Sequence, residues 1–133
     1  MIIVDGKIKG KARPRFNTKT GSTFTPGDTV NYENWVRLCY QQQDGRHLEG
    51  AVRANITVYF KVPKSYSKKR IQAIMSGEEY PLKKPDADNI AKIILDSLNK
   101  IAYEDDSQVT ELVVLKRYTV HNERVEFNLE EIK

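Results

Sequence analysis

Residues 51–60 alternate without a break. Ala54, Ile56, Val58 and Phe60 fall on one side, and Arg53, Asn55, Thr57 and Tyr59 on the other, which predicts a half-buried strand. Ile2, Ile3, Val4 and Ile8 predict a short strand over 2–9, turned near Asp5-Gly6. Gly10, Pro14, Gly21, Pro26 and Gly27 then break any period through residue 27. From about Asp28 the period changes to that of a helix. Tyr32, Trp35, Val36 and Cys39 make one apolar stripe, and the helix is expected to end before Gly45. Ser67 is a natural N-cap for a short helix running to Gly77. The strongest helical pattern is 88–101, with Ile90, Ile93, Ile94, Leu98 and Ile101 on its buried face and Asp88, Lys92, Asp96 and Asn99 opposite. Residues 109–120 carry apolar side chains on both faces and read as an interior strand. After a turn at His121–Arg124, Val125, Phe127 and Leu129 alternate in a last strand, which suggests a hairpin with the one before it. Strands and helices mix along the chain. The expected fold is a single small α+β domain over 1–133, a mixed sheet of about four strands packed by about three helices.

Composition adds exclusions. At 133 residues one domain is the default, and the net charge of +4 is mild. The single cysteine, Cys39, rules out an intrachain disulfide and a cysteine-built zinc site, and fits a reducing interior such as the cytoplasm. There is no apolar run of membrane-spanning length. The N-terminus is charged too soon for a signal peptide, at Asp5.

The charges are unevenly placed. Residues 7–19 hold Lys7, Lys9, Lys11, Arg13, Arg15 and Lys19 and no acid. Residues 61–84, with Lys68, Lys69, Arg70 and Lys84 among them, carry a net +5, whereas 85–111 carry a net −5. Basic stretches attract phosphates through counterion release, and packed carboxylates call for a compensating cation. The combination suggests a phosphodiester held over a metal site; a mixed, solvated surface is the plain alternative. Cations at Lys68-Lys69-Arg70 oppose the helix dipole, so phosphate contact there competes with simple solvation.

Two constellations can carry chemistry. In Lys84-Pro85-Asp86-Ala87-Asp88-Asn89, an extended backbone would aim Asp86 and Asp88 the same way, a start for a hard-cation site; helix capping explains the same residues. Glu104-Asp105-Asp106 lies beyond the far end of the 88–101 helix, which rises roughly 20 Å. The two clusters meet only if the chain doubles back. Lys92, one turn after Asp88, either compensates that carboxylate or stabilises developing negative charge. His47 and His121 lack partners at ligand spacing, and no glycine-rich phosphate loop occurs.

The run Lys84-Pro-Asp86-Ala-Asp88-Asn89-Ile-Ala-Lys92-Ile-Ile-Leu-Asp96-Ser-Leu-Asn99, followed by Asp105-Asp106-Ser-Gln108-Val109, resembles the RusA family of Holliday junction resolvases. Lys11-Ala-Arg13-Pro14-Arg15 resembles the basic Arg-Pro-Arg segment of the same family. The resemblance implies a homodimer that requires Mg²⁺, with Mn²⁺ as a substitute and no small-molecule cofactor. Its substrate would be branched DNA, cut at four-way junctions by paired symmetric nicks; such enzymes are common in prophages. It implies catalytic and metal-binding roles for Asp86, Asp88 and Asp106, with Asp105 as the alternative to the last, and a catalytic role for Lys92. Phosphate contacts would come from Lys7, Lys9, Lys11, Arg13, Arg15 and Lys19 on a basic mobile loop at about 7–27, and from Lys68, Lys69, Arg70 and Lys84. Two rival readings stand beside it. One is a non-catalytic branched-DNA-binding module. The other is a PD-(D/E)xK-type nuclease using Pro85-Asp86 with Glu131-Ile132-Lys133, the latter at a terminus prone to fraying.

Overall fold

The structure, a computed structural model, describes residues 1–10, 15–16, 23–24 and 27–133, with side chains described outside 11–28. Lys11, Arg13 and Lys19, and the side chain of Arg15, therefore lie outside the described residues.

The centre of the fold is β4 (Val52–Lys61), whose Val52, Ala54, Ile56, Val58 and Phe60 are all buried. It sits inside a four-stranded sheet of order β1-β6-β4-β5, with β1 at Ile2–Asp5, β5 at Val109–Thr119 and β6 at Arg124–Glu131. β6 runs antiparallel to both β1 and β4, while β5 runs parallel to β4. A two-residue ribbon, β2 (Arg15–Phe16) with β3 (Thr23–Phe24), is separate from this sheet.

Ile2 and Val4 of β1 and Val125, Phe127 and Leu129 of β6 share the buried face of β4. Against it lie α1 (Gly27–Gln43) and α3 (Ala87–Ser97), which also pack on each other. Side chains of this size contribute about 1.5–3 kcal/mol each when fully buried, so this layer carries most of the fold's stability. The Tyr40 and Phe127 rings stack across it, centroids 6.3 Å apart. The connection from β4 to β5 holds α2 (Lys68–Met75) and α3, as a parallel pair requires. Ser67 caps α2 by accepting from Arg70 N at 3.2 Å, and Gly77 follows at φ +80°.

The mixed four-stranded sheet and three helices, counted among the described residues, agree with the expected α+β class. Four details differ. β5 and β6 are not a hairpin, because β4 lies between them. β5 is an edge strand; its apolar residues on both faces stay partly exposed, Leu112 at 45% and Val113 at 46%. α3 ends at Ser97, since the chain turns through Lys100 at φ +68°. Ile101 to Tyr103 nonetheless stay against the core, which extends the apolar period beyond the helix. Trp35 is 41% exposed, and its Nε1 donates to Asp5 O at 2.8 Å; Tyr40, Val36 and Cys39 line the buried side of α1.

Candidate active site

The two acidic constellations occupy the two ends of α3. At the N-terminal end, Asp86 takes the N-cap position with extended backbone (φ −67°, ψ 156°), yet its side chain makes no capping bond. The carboxylate instead meets Lys84 Nζ at 3.1 Å, a largely exposed pair that contributes little on its own. Asp88 stands in the first turn, exposed, and forms no bond or ion pair among the described residues. Helix capping thus does not consume either carboxylate, while the positive end of the helix favours negative charge at both positions. Lys92 is exposed one turn further on and does not pair with Asp88.

Gly10 lies directly against this end. A Cβ placed on it would stand 2.7 Å from Asn89 Nδ2 and 3.1 Å from Pro85 Cβ. The backbone leading into the basic stretch therefore packs closely on the Pro85–Asn89 motif, and a side chain at position 10 would make the Asn89 amide swing aside. Lys7 and Lys9, exposed, precede that contact.

At the other end of α3 the chain does double back. Tyr103 is fully buried and its hydroxyl donates to Leu95 O at 2.7 Å. Asn99 Oδ1 accepts from Asp106 N at 2.8 Å. These contacts bring Asp106 onto Asp96, one carboxyl hydrogen-bonded to the other. Burial, then the Asp96 contact, push the Asp106 pKa above the ordinary carboxylate range. Asp105 behaves oppositely. Its carboxylate caps the short 3₁₀ turn at Asp106–Gln108 and accepts from Ser107 N at 3.0 Å, and the Ser107 hydrogen bonding lowers its pKa.

Gln108 anchors the loop. Its Oε1 accepts from Glu104 N (2.9 Å) and Asp105 N (3.2 Å), and its Nε2 donates to Leu48 O (3.2 Å) and Gly50 O (3.0 Å). Asn99 and Gln108 lie in the quoted motif, but spacing alone gives no hint that they brace Asp106. Gly10 reads as a simple breaker in sequence, and its approach to Asn89 has no sequence signal.

Asp88 and Asp96 are two turns apart on α3, a rise of roughly 12 Å. Each end supplies a carboxylate pair of the kind Mg²⁺ takes alongside waters and phosphate oxygens. Asp86, Asp88 and Asp106 do not form one group: among the described residues no three His, Cys, Asp or Glu side chains are gathered as metal ligands.

Of the other basic residues, Arg70 is already engaged. Its Nε donates to both carboxylate oxygens of Glu79 (3.0 and 3.1 Å), and its guanidinium lies 3.6 Å from the Tyr66 ring centroid. Lys68 and Lys69 are exposed. Glu131, named in the rival nuclease reading, accepts from Glu49 N at 2.9 Å, and Ile132 N donates to Ala51 O at 2.9 Å. Among the described residues no helix is long and apolar enough to cross a membrane.

Comparison with known proteins identifies relatives of the chain. The Bacillus subtilis (strain 168) protein named "Uncharacterized protein YqaN" is 34% identical over 134 residues, covering 97% of this chain and 94% of that protein. The family model described as endodeoxyribonuclease RusA matches residues 5–130, from the end of β1 to the end of β6 and across both acidic constellations, so the chain belongs to the RusA endodeoxyribonuclease family.

Proposed function

We propose that the protein is a Mg²⁺-dependent, structure-selective endodeoxyribonuclease that resolves four-way DNA junctions by paired symmetric nicks, acting as a homodimer inside the cell. The observation that carries this is the N-terminal end of α3, where Asp86 and Asp88 present carboxylates that helix capping does not use, beneath a basic approach anchored at Gly10. The family's substrate is DNA. A bound Mg²⁺ polarises a scissile phosphate and lowers the pKa of an attacking water. Asp86 and Asp88 are assigned as its carboxylates; Asp106, which the fold holds beside Asp96 at the other end of α3, is assigned as a third acid required for cutting, not to the same ion within one chain.

Asp106 is preferred over Asp105 because Asp105 is committed to Ser107 and to the cap of its own turn. Asp106 sits against another carboxyl, that of Asp96, a contact that a cation would improve. Lys92, exposed and unpaired among the described residues, supplies positive charge to the extra negative charge of the transition state. Lys7, Lys9, Lys11, Arg13, Arg15, Lys19, Lys68, Lys69 and Lys84 hold phosphates by charge and shape, with no call on base identity. Arg70 contributes less, being held by Glu79. Two copies match the approximate two-fold symmetry of a four-way junction.

The test is a synthetic mobile four-way junction incubated with the full chain, with and without Mg²⁺. Asp86→Asn, Asp88→Asn and Asp106→Asn are each expected to abolish nicking while junction binding survives, and Asp105→Asn is expected to keep most of the activity. Normal nicking by all three of the first set sinks the assignment. Salt-sensitive binding without any Mg²⁺- or Mn²⁺-dependent incision would instead support a non-catalytic binding module.

A further inference from the structure

Residues 79–85 form a strap that leads from the turn after α2 to the start of α3 and so delivers Asp86. Little holds its backbone. Among the described residues, no N–H or C=O of 79–85 bonds another backbone group. The one backbone group of the strap that is bonded there is Lys83 O, and its donor is a side chain, the Lys116 ammonium of β5. Lys116 is half-buried, and β5 is paired with β4 through Thr119, so the donor is carried on a rigid base. Ring contacts lay the same strap on the sheet. The Arg117 guanidinium lies 5.0 Å from the Tyr80 ring centroid, and the Lys83 ammonium lies 5.0 Å from that of the buried Phe60. The Lys116 ammonium lies 5.7 Å from the same Phe60 centroid.

We infer that Lys116 is a positioning residue for the Asp86 carboxylate, acting through Lys83 O. Downstream, Asp86 is fixed by α3: its carbonyl accepts from Ile90 N at 2.9 Å, and Ile90 is fully buried. Upstream, Lys83 is three residues away, a span of at most about 11 Å. The Asp86 side chain makes no capping bond, and its ion-pair partner, Lys84, rides on the strap itself. The aim of the carboxylate is therefore set by backbone held at both sides, and the upstream hold is one hydrogen bond from β5. Without it Lys83 and Lys84 are free to swing, and Asp86 with them. Lys83 O then turns to water, so the loss falls on geometry more than on stability. A displacement of about 1 Å at a reacting centre costs up to about 10²-fold in rate. This role rests on the nuclease reading above and brings in a residue that lies outside both acidic constellations. Its rival is a direct phosphate contact by the same ammonium, which would act on binding.

Lys116→Met in the full chain, which keeps an unbranched stem and removes the donor, tests it. At saturating enzyme and Mg²⁺, its single-turnover nicking of a four-way junction should slow by about tenfold or more, with junction affinity and its salt slope unchanged. Lys116→Arg restores a donor and should recover most of the rate. Normal nicking by Lys116→Met overturns the inference. So does weaker, less salt-dependent binding with a full rate at saturation, the mark of a phosphate contact. So does a rate loss that Lys116→Arg leaves in place, since the donor is then not what matters. The tether is also read without nicking, by limited trypsin digestion of the metal-free protein without DNA, with mass spectrometry reporting the cut after Lys83. Lys116→Met should be cut there several-fold faster than the wild type, and Lys116→Arg at the wild-type rate; equal rates for all three overturn the inference. A faster cut in Lys116→Met, with no nicking by the wild type, leaves the tether standing and refutes the nuclease reading instead.

Discussion

Gln108 is the residue whose replacement separates the bracing of the acidic loop from its chemistry. Its amide spans two loops with four hydrogen bonds, two holding Glu104 N and Asp105 N and two reaching Leu48 O and Gly50 O. A typical protein hydrogen bond is worth a net ~0.5–1.5 kcal/mol, and exposed ones fall at the low end because water replaces them. Only the bond to Leu48 O is partly buried. Gln108→Ala should therefore cost about 2 kcal/mol, a sizeable share of a typical domain's ~5–15 kcal/mol. Urea unfolding should show a lower midpoint with the slope unchanged. Because the loop carries Asp106, the single-turnover nicking rate should fall while junction affinity holds. Gln108→Glu keeps the acceptor and loses both donations to the Leu48 and Gly50 carbonyls. It also adds a fourth acid beside Glu104, Asp105 and Asp106. It should be at least as damaging at pH 7, and recover in part at low pH as the new carboxyl protonates. A loss below about 0.5 kcal/mol with nicking intact would refute the bracing role.

Asp96→Asn should stabilise the metal-free protein at neutral pH. Folded Asp106 keeps its proton to higher pH than the unfolded chain does, so the stability tied to that proton is full below about pH 4 and lost as pH rises through the raised value. The variant's gain in melting temperature should thus appear at pH 7 and vanish near pH 3; a gain of equal size at both would refute the carboxyl–carboxylate conflict. Gly10→Ala makes the Asn89 amide swing aside and crowds Pro85 Cβ, and should cost no more than about 1 kcal/mol, the low end for overpacking, read by denaturant midpoint. Gln43→Ala removes the amide that bonds Ile3 N and Ile3 O, uncovers the β1 edge and should increase concentration-dependent aggregation measured by light scattering, whereas an unchanged scattering profile would show that Gln43 guards nothing. Replacing Arg13 and Arg15 together with Ala should weaken junction binding and lower its salt slope by up to about two, as two phosphate contacts would require; binding unchanged over a salt series would remove the basic approach from the interface.

What the sequence makes legible is what periodicity encodes. β4 alternates because one of its faces meets α1 and α3, and Ser67 can be read as a cap because the exposed N–H of Arg70 needs an acceptor. Pairing is not encoded that way. β5 and β6 are neighbours in the chain, but β4 supplies a hydrogen-bonding partner to each and separates them. The apolar period of α3 runs on to Ile101 although the helix stops at Ser97, because Ala102 and Tyr103 remain buried while the backbone reverses. That reversal also decides the site. Its direction depends on Lys100 at φ +68°, on the Tyr103 hydroxyl bonded to Leu95 O and on Asn99 catching Asp106 N, none of which spacing reveals.

The acidic stretch of 85–111, uniform in sequence, is thereby divided into two settings that differ in kind. Asp86 and Asp88 lie in solvent at a helix N-terminus, with Lys84 beside Asp86, where a cation can reach both. Asp106 is pressed against Asp96 and partly withdrawn from water, so its negative form is disfavoured until positive charge arrives. A fold that sets one acidic pair at each end of α3 avoids gathering every carboxylate in one place, which would set several mutually repelling charges at close range.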